Sequence, residues 1–302
     1  MVAAIEPPAH RRPWRLPRLV GWRSPLRGRG ALIGAAAVLI VIAAVSIAAP
    51  LITDVSPQEL DPISRLLPPA ADHWFGTDGL GRDVFARTLY GGRISLLVGF
   101  GVAVLTTVFG LLIGAIAGFA RLADELIMRV MDGLMAIPGI LLAAALMAVS
   151  HPGLTTVIVA ISVPEVPRMV RLVRSMVLSV RERPFVEAAV LSGTRLPRLL
   201  LRHVIPNILA PVVVQATFAF AMAILLESYL SLLGAGIPPG IPSWGNIITD
   251  SINTVRTAFW PILFPGLFVA ITVLAVNILG DSLRDFLDPR FVRQVRMAGS
   301  AP

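Results

Sequence analysis

RERPFVEAAVLSGTRLPRLLLRHVIPN, residues 181–207, is the longest charged interruption between two apolar runs of the chain. Its residues read as a helix-turn-helix. Pro184 suits a first helical turn, Phe185 to Leu191 favour helix, and Gly193 suits a left-handed stop. Thr194 can then cap a second short helix whose early turn holds Pro197. A two-turn helix is marginal alone in water, so the segment calls for a protein partner.

Outside this segment the chain is apolar. Its 302 residues are 56% hydrophobic, with a mean hydropathy of +0.80 and only 15% charged residues. The apolar residues fall in blocks of about 20, enough to cross roughly 30 Å of hydrocarbon at 1.5 Å per residue. The expectation is an all-α polytopic membrane protein with six transmembrane helices. The net charge of +8 lies in short tracts beside the apolar runs. That placement is a positive-inside pattern and speaks for a bilayer, not for nucleic acid. All 26 basic residues are arginine. Without lysine there is no Walker-type phosphate loop, so ATP hydrolysis is not expected in this chain. Without cysteine there is no thiol nucleophile, and His10, His73, His151 and His203 lack metal-ligand spacing. No catalytic residue, cofactor or metal site is expected.

Residues 1–30 hold seven arginines against Glu6 and read as a cytoplasmic tail, followed by a first span over residues 31–52. A secretory leader ending near Ser46-Ile47-Ala48 is the alternative, disfavoured by the length of the run. Residues 53–92 are polar, acidic and proline-rich and read as an extracytoplasmic loop. Its glycines 76, 79 and 81 imitate a phosphate cradle, but a folded turn before the second span is the better reading. Residues 93–283 form a five-helix core that includes the cytoplasmic segment 181–204, and residues 284–302 a cytoplasmic tail. Within the core the expected spans begin near Ile94, Leu126, Leu154, Ile205 and Ala258. Gly110, Gly114 and Gly118 share a helix stripe and should admit a close neighbour. Pro138 should kink the third span. Trp244-Gly245, in the outer loop after the fifth span, suits the interface or a turn.

Four polar residues inside spans are candidates for a pathway or a gate: Asp132, Glu165, Gln215 and Glu227. For Asp132, a simple pairing with Arg129 competes with gating. Glu165 should face protein or water, with Arg168 three residues on to neutralise it. Arg168, Arg171 and Arg174 form a stripe that reads mainly as positive-inside anchoring.

Glu187-Ala188-Ala189, three residues, then Gly193 resembles the cytoplasmic EAA loop of ABC-importer permeases. FGTDGLGRD at 75–83, RVMDGLMAIPGILL at 129–142, RHVIPN at 202–207, ESYLSLLGAGIPPGIPSWG at 227–245 and NILGDSLRDFLDPR at 277–290 extend the match. Together they resemble the C-type permease of dipeptide, oligopeptide or nickel importers, over nearly the whole chain after residue 30. His203-Val204-Ile205-Pro206 departs from the general Ile-x-Leu-Pro ending in the manner of the peptide branch. Pro164-Glu165-Val166-Pro167 stands where the family often has a tryptophan-proline pair.

The resemblance implies the type I ABC-importer permease fold and a multi-pass protein of the bacterial inner membrane with both termini cytoplasmic. It implies a homologous sister permease, two cytoplasmic ATPase subunits and an extracytoplasmic substrate-binding protein as partners. Pro184, Phe185, Glu187, Ala188, Ala189, Gly193, Thr194 and Arg195 would contact an ATPase or shape that contact. The competing reading is a secondary transporter driven by an ion gradient, with Asp132, Glu165 and Glu227 as an acidic relay.

Overall fold

The structure is a computed structural model that describes residues 25–287. Residues 1–24 and 288–302 lie outside the described residues, and with them most of the arginine-rich amino-terminal stretch and Arg290, Arg293 and Arg296. The described chain is helical apart from its loops and one isolated bridge between Thr77 and Asp83. In order come α1 (Pro25–Ile47), α2 (Ala49–Ile52), α3 (Val84–Phe119), α4 (Arg121–Ala136), α5 (Gly139–Val149) and α6 (Leu154–Arg181). Then follow α7 (Pro184–Leu191), α8 (Leu196–Leu199), α9 (Ile205–Leu232), α10 (Trp244–Ser251) and α11 (Trp260–Leu287).

Stretches within α1 and α11, all of α3, and the run Leu196–Leu232 are long and apolar enough to cross a membrane. The pair α4 and α5 adds a fifth crossing if taken as one broken span. The expected fourth span corresponds to α6, whose 28 residues reach about 42 Å but carry Glu165 and four arginines. Outward apolar side chains such as Ile40, Phe100, Leu112 and Leu274 are more than half exposed. Water would not tolerate so much open apolar surface, whereas hydrocarbon does.

The centre of the bundle is α3 packed along α6, with α9 against both. A Cβ at Gly110 would lie 2.1 Å from Met169 Cγ, and one at Gly118 would lie 2.5 Å from Val177 Cγ1. At Gly114 it would meet Val173 Cβ at 2.7 Å and the Val170 carbonyl oxygen at 2.8 Å. The three glycines are therefore a backbone-to-backbone seam. Around it lie Val98, Val102, Ala160, Ile161 and Leu230 in one core, and Met169, Val173, Val177, Ile208 and Val212 in another.

Three elements differ from the sequence reading. Asp83 accepts the Ala86 N–H at 2.7 Å and caps α3, so this helix starts at Val84 rather than near Ile94. Gly91 and Gly92 lie inside it, where α1 and the Ser243–Trp244 segment press close. Pro138 does more than kink the third span: α4 and α5 meet at 90°. Ile137, the residue before the proline, is extended at φ −93° and ψ 130°, which ends α4 outright. Finally, Trp244 sits at neither interface nor turn. It is fully buried and begins α10, with its indole N–H donated to the Thr88 carbonyl at 2.9 Å.

Gly114→Val should destabilise the folded protein in detergent by on the order of 2 kcal/mol, because the added methyls have no room against Val170 and Val173. Gly133→Ala, where a Cβ meets nothing within 4 Å, should not. Thermal melting followed by fluorescence size-exclusion chromatography separates the two.

Candidate functional site

Segment 181–204 leaves the membrane end of α6 as a separate short helix. Pro184 occupies its first turn and Ser192 ends it, with Gly193 at φ +73°. The Thr194 N–H bonds the Ala189 carbonyl at 3.1 Å and the Gly193 N–H bonds the Val190 carbonyl at 2.9 Å. This is a Schellman ending, and it requires the left-handed residue at 193. Val186 alone on α7 is fully buried, packing with Val180 and Leu199. Pro184, Phe185, Glu187, Ala188, Val190, Leu191 and Arg195 are exposed. The helix is thus pinned by one side and presents the other, including an apolar edge of Phe185, Val190 and Leu191. One expectation fails: α8 is preceded by Arg195, not capped by Thr194, and no side chain bonds its first turn. Arg195, one residue later, has the extended backbone of the capping position at φ −64° and ψ 143°. From α8 the chain runs through a π-helical turn, Leu200–Val204, straight into α9.

The arginine stripe on α6 is paired along its length. Arg168 Nη1 donates to both Glu165 oxygens, at 3.0 and 3.1 Å. Arg171 Nη2 donates to Asp132 at 2.5 Å, so the partner of Asp132 is Arg171 rather than Arg129. Those two helices run antiparallel side by side, which brings Arg171 over α4. Arg174 grips Asp124 with two nitrogens, its Nη2 at 2.6 Å from Oδ2. Arg181 Nη1 closes the series on the Gly118 carbonyl at 3.1 Å, where α3 ends. Anchoring is therefore only part of what the stripe does; it also ties α4 and the end of α3 to α6.

At the opposite end of the bundle Glu227 is fully buried. Its Oε1 accepts the Ser231 hydroxyl at 2.9 Å and the Ser243 hydroxyl at 2.7 Å. A Cβ on Gly245 would come within 2.7 Å of its Oε2, so the carboxylate sits at the first turn of α10 and positions that helix. Among the described residues it lines no open surface, and its contacts hold α10 in place. Gln215 is half-buried on α9.

The glycine cluster before α3 frames a charge network that the sequence reading missed. Asp78 Oδ2 accepts Arg82 Nε at 2.7 Å and Arg87 Nη1 at 2.5 Å. Asp250, from the last turn of α10, accepts Arg82 Nη2 at 2.8 Å and Arg87 Nη2 at 3.1 Å. Arg87 is only 1% exposed. Two arginines and two aspartates neutralise one another and join the loop before α3, and the first turn of α3, to α10. Burial alone would raise the Asp78 carboxyl, but Arg87, Arg82 and the N–H groups of Leu80 and Arg82 outweigh it and hold it below the ordinary range. The signal available in the sequence was Asp78 and Arg82 at a four-residue spacing inside an acidic loop.

Residues 107–293 match the family described as binding-protein-dependent transport system inner membrane component. The chain is 54% identical over 249 residues to a chain of Sinorhizobium fredii named a probable peptide ABC transporter permease, covering 82% of this chain and 85% of the relative. It is 42% identical over 282 residues to the dipeptide transport system permease of Alkalihalophilus pseudofirmus, covering 92% and 90%. To the oligopeptide transport system permease of Bacillus subtilis it is 37% identical over 254 residues, covering 84% and 83%. A solved chain of the MetNI methionine ABC transporter in inward-facing conformation shares the fold, with a TM-score of 0.53 at 20% identity over 69% of this chain and 96% of that one.

Asp78→Asn should cost about 3–5 kcal/mol, because it leaves Arg87 buried against a weakened partner. The carboxyl is depressed in the folded state, so its contribution is complete above the unfolded value of 3.8 and is lost as pH falls through the lower folded value. The melting temperatures of wild type and variant should differ by a constant amount well above pH 3.8, and the gap should narrow as the pH falls below that value.

Proposed function

Because the chain belongs to the family of binding-protein-dependent transport system inner membrane components, we propose that it is the permease subunit of an ATP-driven importer with peptides as cargo. Its relatives carry dipeptide, oligopeptide and peptide transport names across more than four fifths of their length. The observation that supports the mechanism is the construction of α7. A short helix pinned by Val186 and stopped by Gly193 turns Phe185, Glu187, Ala188, Val190 and Leu191 outward, as a plug for a groove on another protein would.

On this reading the described spans sit in the bacterial inner membrane with the two termini on the cytoplasmic side, and α6, the fourth in chain order, brings the number of crossings to six. A homologous sister permease completes the pathway, two cytoplasmic ATPase subunits take one α7 each, and a substrate-binding protein docks outside. ATP binding closes the ATPase pair and shifts α7. Since Val186, Val180, Val177 and Met169 belong to one packed core with α9, the shift reaches the α3–α6 seam without a flexible joint. The ATPases bias a two-state element through differential contacts at α7.

The secondary-transporter reading needs Asp132, Glu165 and Glu227 to act as one relay. Each has its own local partners instead: Arg171, Arg168, and the hydroxyls of Ser231 and Ser243. Uptake by the reconstituted complex should require ATP and survive collapse of the ion gradients. Uptake driven by a proton gradient without ATP would overturn the importer assignment.

A Cβ at Gly193 meets nothing within 4 Å, so substitution there acts through the backbone alone. Gly193→Val should leave membrane content intact and uncouple ATP hydrolysis from uptake, because a β-branched residue resists the left-handed conformation. Gly193→Asn, which tolerates it, should keep most of the uptake. Parallel measurement of ATPase activity and uptake in proteoliposomes checks both.

A further inference from the structure

Arg168 stands halfway along α6 with about 20 Å of helix on either side, so where α6 is a full crossing, as the importer reading has it, Arg168 lies within the hydrocarbon. Its side chain is nonetheless 51% exposed. A long arginine can escape lipid by reaching toward the nearer interface. Arg168 does otherwise: Nη1 turns back one helical turn to Glu165, which is 6% exposed, and the rest of the guanidinium remains open.

The break between α4 and α5 lies at the same level. A Cβ on Gly139 would be 3.4 Å from Pro164 Cβ, the residue before Glu165. At that break both the Leu141 and Leu142 N–H groups converge on the Pro138 carbonyl, and Met135, Ile137 and Pro138 are exposed. Irregular backbone at membrane depth is stable only where protein covers it or water reaches it, and a half-open guanidinium has the same requirement. Two independent features thus exclude lipid from one patch.

We propose that Arg168, Glu165 and the elbow Ile137–Gly139 form the wall of a water-filled passage, and that Arg168 receives the terminal carboxylate of a passing peptide. This rests on the importer reading. The ligand class follows from the chemistry: the open guanidinium edge offers paired N–H donors that fit a carboxylate, while Glu165 keeps the empty site neutral. A peptide carboxylate takes up the open edge without having to displace Glu165.

The chain has no cysteine, so an introduced one is the single thiol of this subunit, and the complex with the unaltered chain supplies the background rate. In the reconstituted complex with its ATPases and binding protein, Ile137→Cys and Arg168→Cys should react with the anionic reagent methanethiosulfonate ethylsulfonate about tenfold or more faster than Phe100→Cys on the outward face of α3. Equal or absent reaction at 137 and 168 overturns the passage. Since Arg168→Cys strands Glu165, the second test neutralises both. Glu165→Gln with Arg168→Gln should lose about tenfold or more of the uptake of a mixture of di-, tri- and pentaalanine while remaining folded. A merely structural pair predicts normal uptake by the double variant, and that result overturns the assignment of Arg168. Wild-type complex that imports without ATP contradicts the importer reading instead. Wild type that imports with ATP, beside an equally active double variant, contradicts only the role of Arg168.

Discussion

Hydrocarbon gives two helices no hydrophobic reason to associate, so the approach of α3 to α6 must come from contact itself. Gly110, Gly114 and Gly118 supply it, bringing α3 so close to α6 that a Cβ at Gly114 would overlap the Val170 carbonyl. The placement of everything else on α6 follows from that approach. It aims the arginine stripe at α4, puts Arg181 on the last turn of α3, and leaves the carboxyl end of α6 rigid enough to carry α7. A looser seam would still span a membrane, but it would hold the α6 end that carries α7 less firmly against the bundle.

The second constraint is the cost of charge in a low-dielectric layer. Glu165, Asp132 and Asp124 each have an arginine of α6 within hydrogen-bond reach, and the network at the start of α3 matches two arginines with two aspartates. Buried ion pairs contribute little net stability compared with apolar packing, but losing one partner is expensive. They therefore specify arrangement. Asp78, Arg82, Arg87 and Asp250 fix how α10 meets the start of α3, while Arg171 and Arg174 hold α4, which has only Met131 buried, against the bundle. The more exposed Arg171–Asp132 pair is the weaker of these ties, as its solvent access implies.

What the sequence made legible was local. The glycine stripe, the turn at Gly193, Pro184 at the start of a helix and the Glu165–Arg168 pairing each depend on residues one turn apart, and each has the geometry their spacing suggested. What escaped was set by distant contacts. Asp132 chose Arg171 over the nearer Arg129 because α4 lies along α6, and Arg87 is buried because α10, 163 residues on, brings Asp250 to it. Pro138 illustrates the limit within a single element. Pro164, Pro167, Pro211 and Pro265 stay inside helices, whereas the extended Ile137 ends α4. The composition of the run did not distinguish a kink from a break. For Trp244 the sequence offers an interface or a turn, because nothing near it announces the Thr88 carbonyl that takes its N–H.

The account stands or falls on α7 as the surface that another protein drives. Its most direct test is a photo-crosslinking residue at Phe185 in the intact complex, with the same residue at Phe100 as the lipid-facing comparison. The prediction is a crosslink from position 185 to a cytoplasmic ATPase subunit whose yield changes when ATP binds, and none from position 100. Crosslinking of position 185 to lipid or to the extracytoplasmic binding protein, with no ATPase adduct, would contradict it.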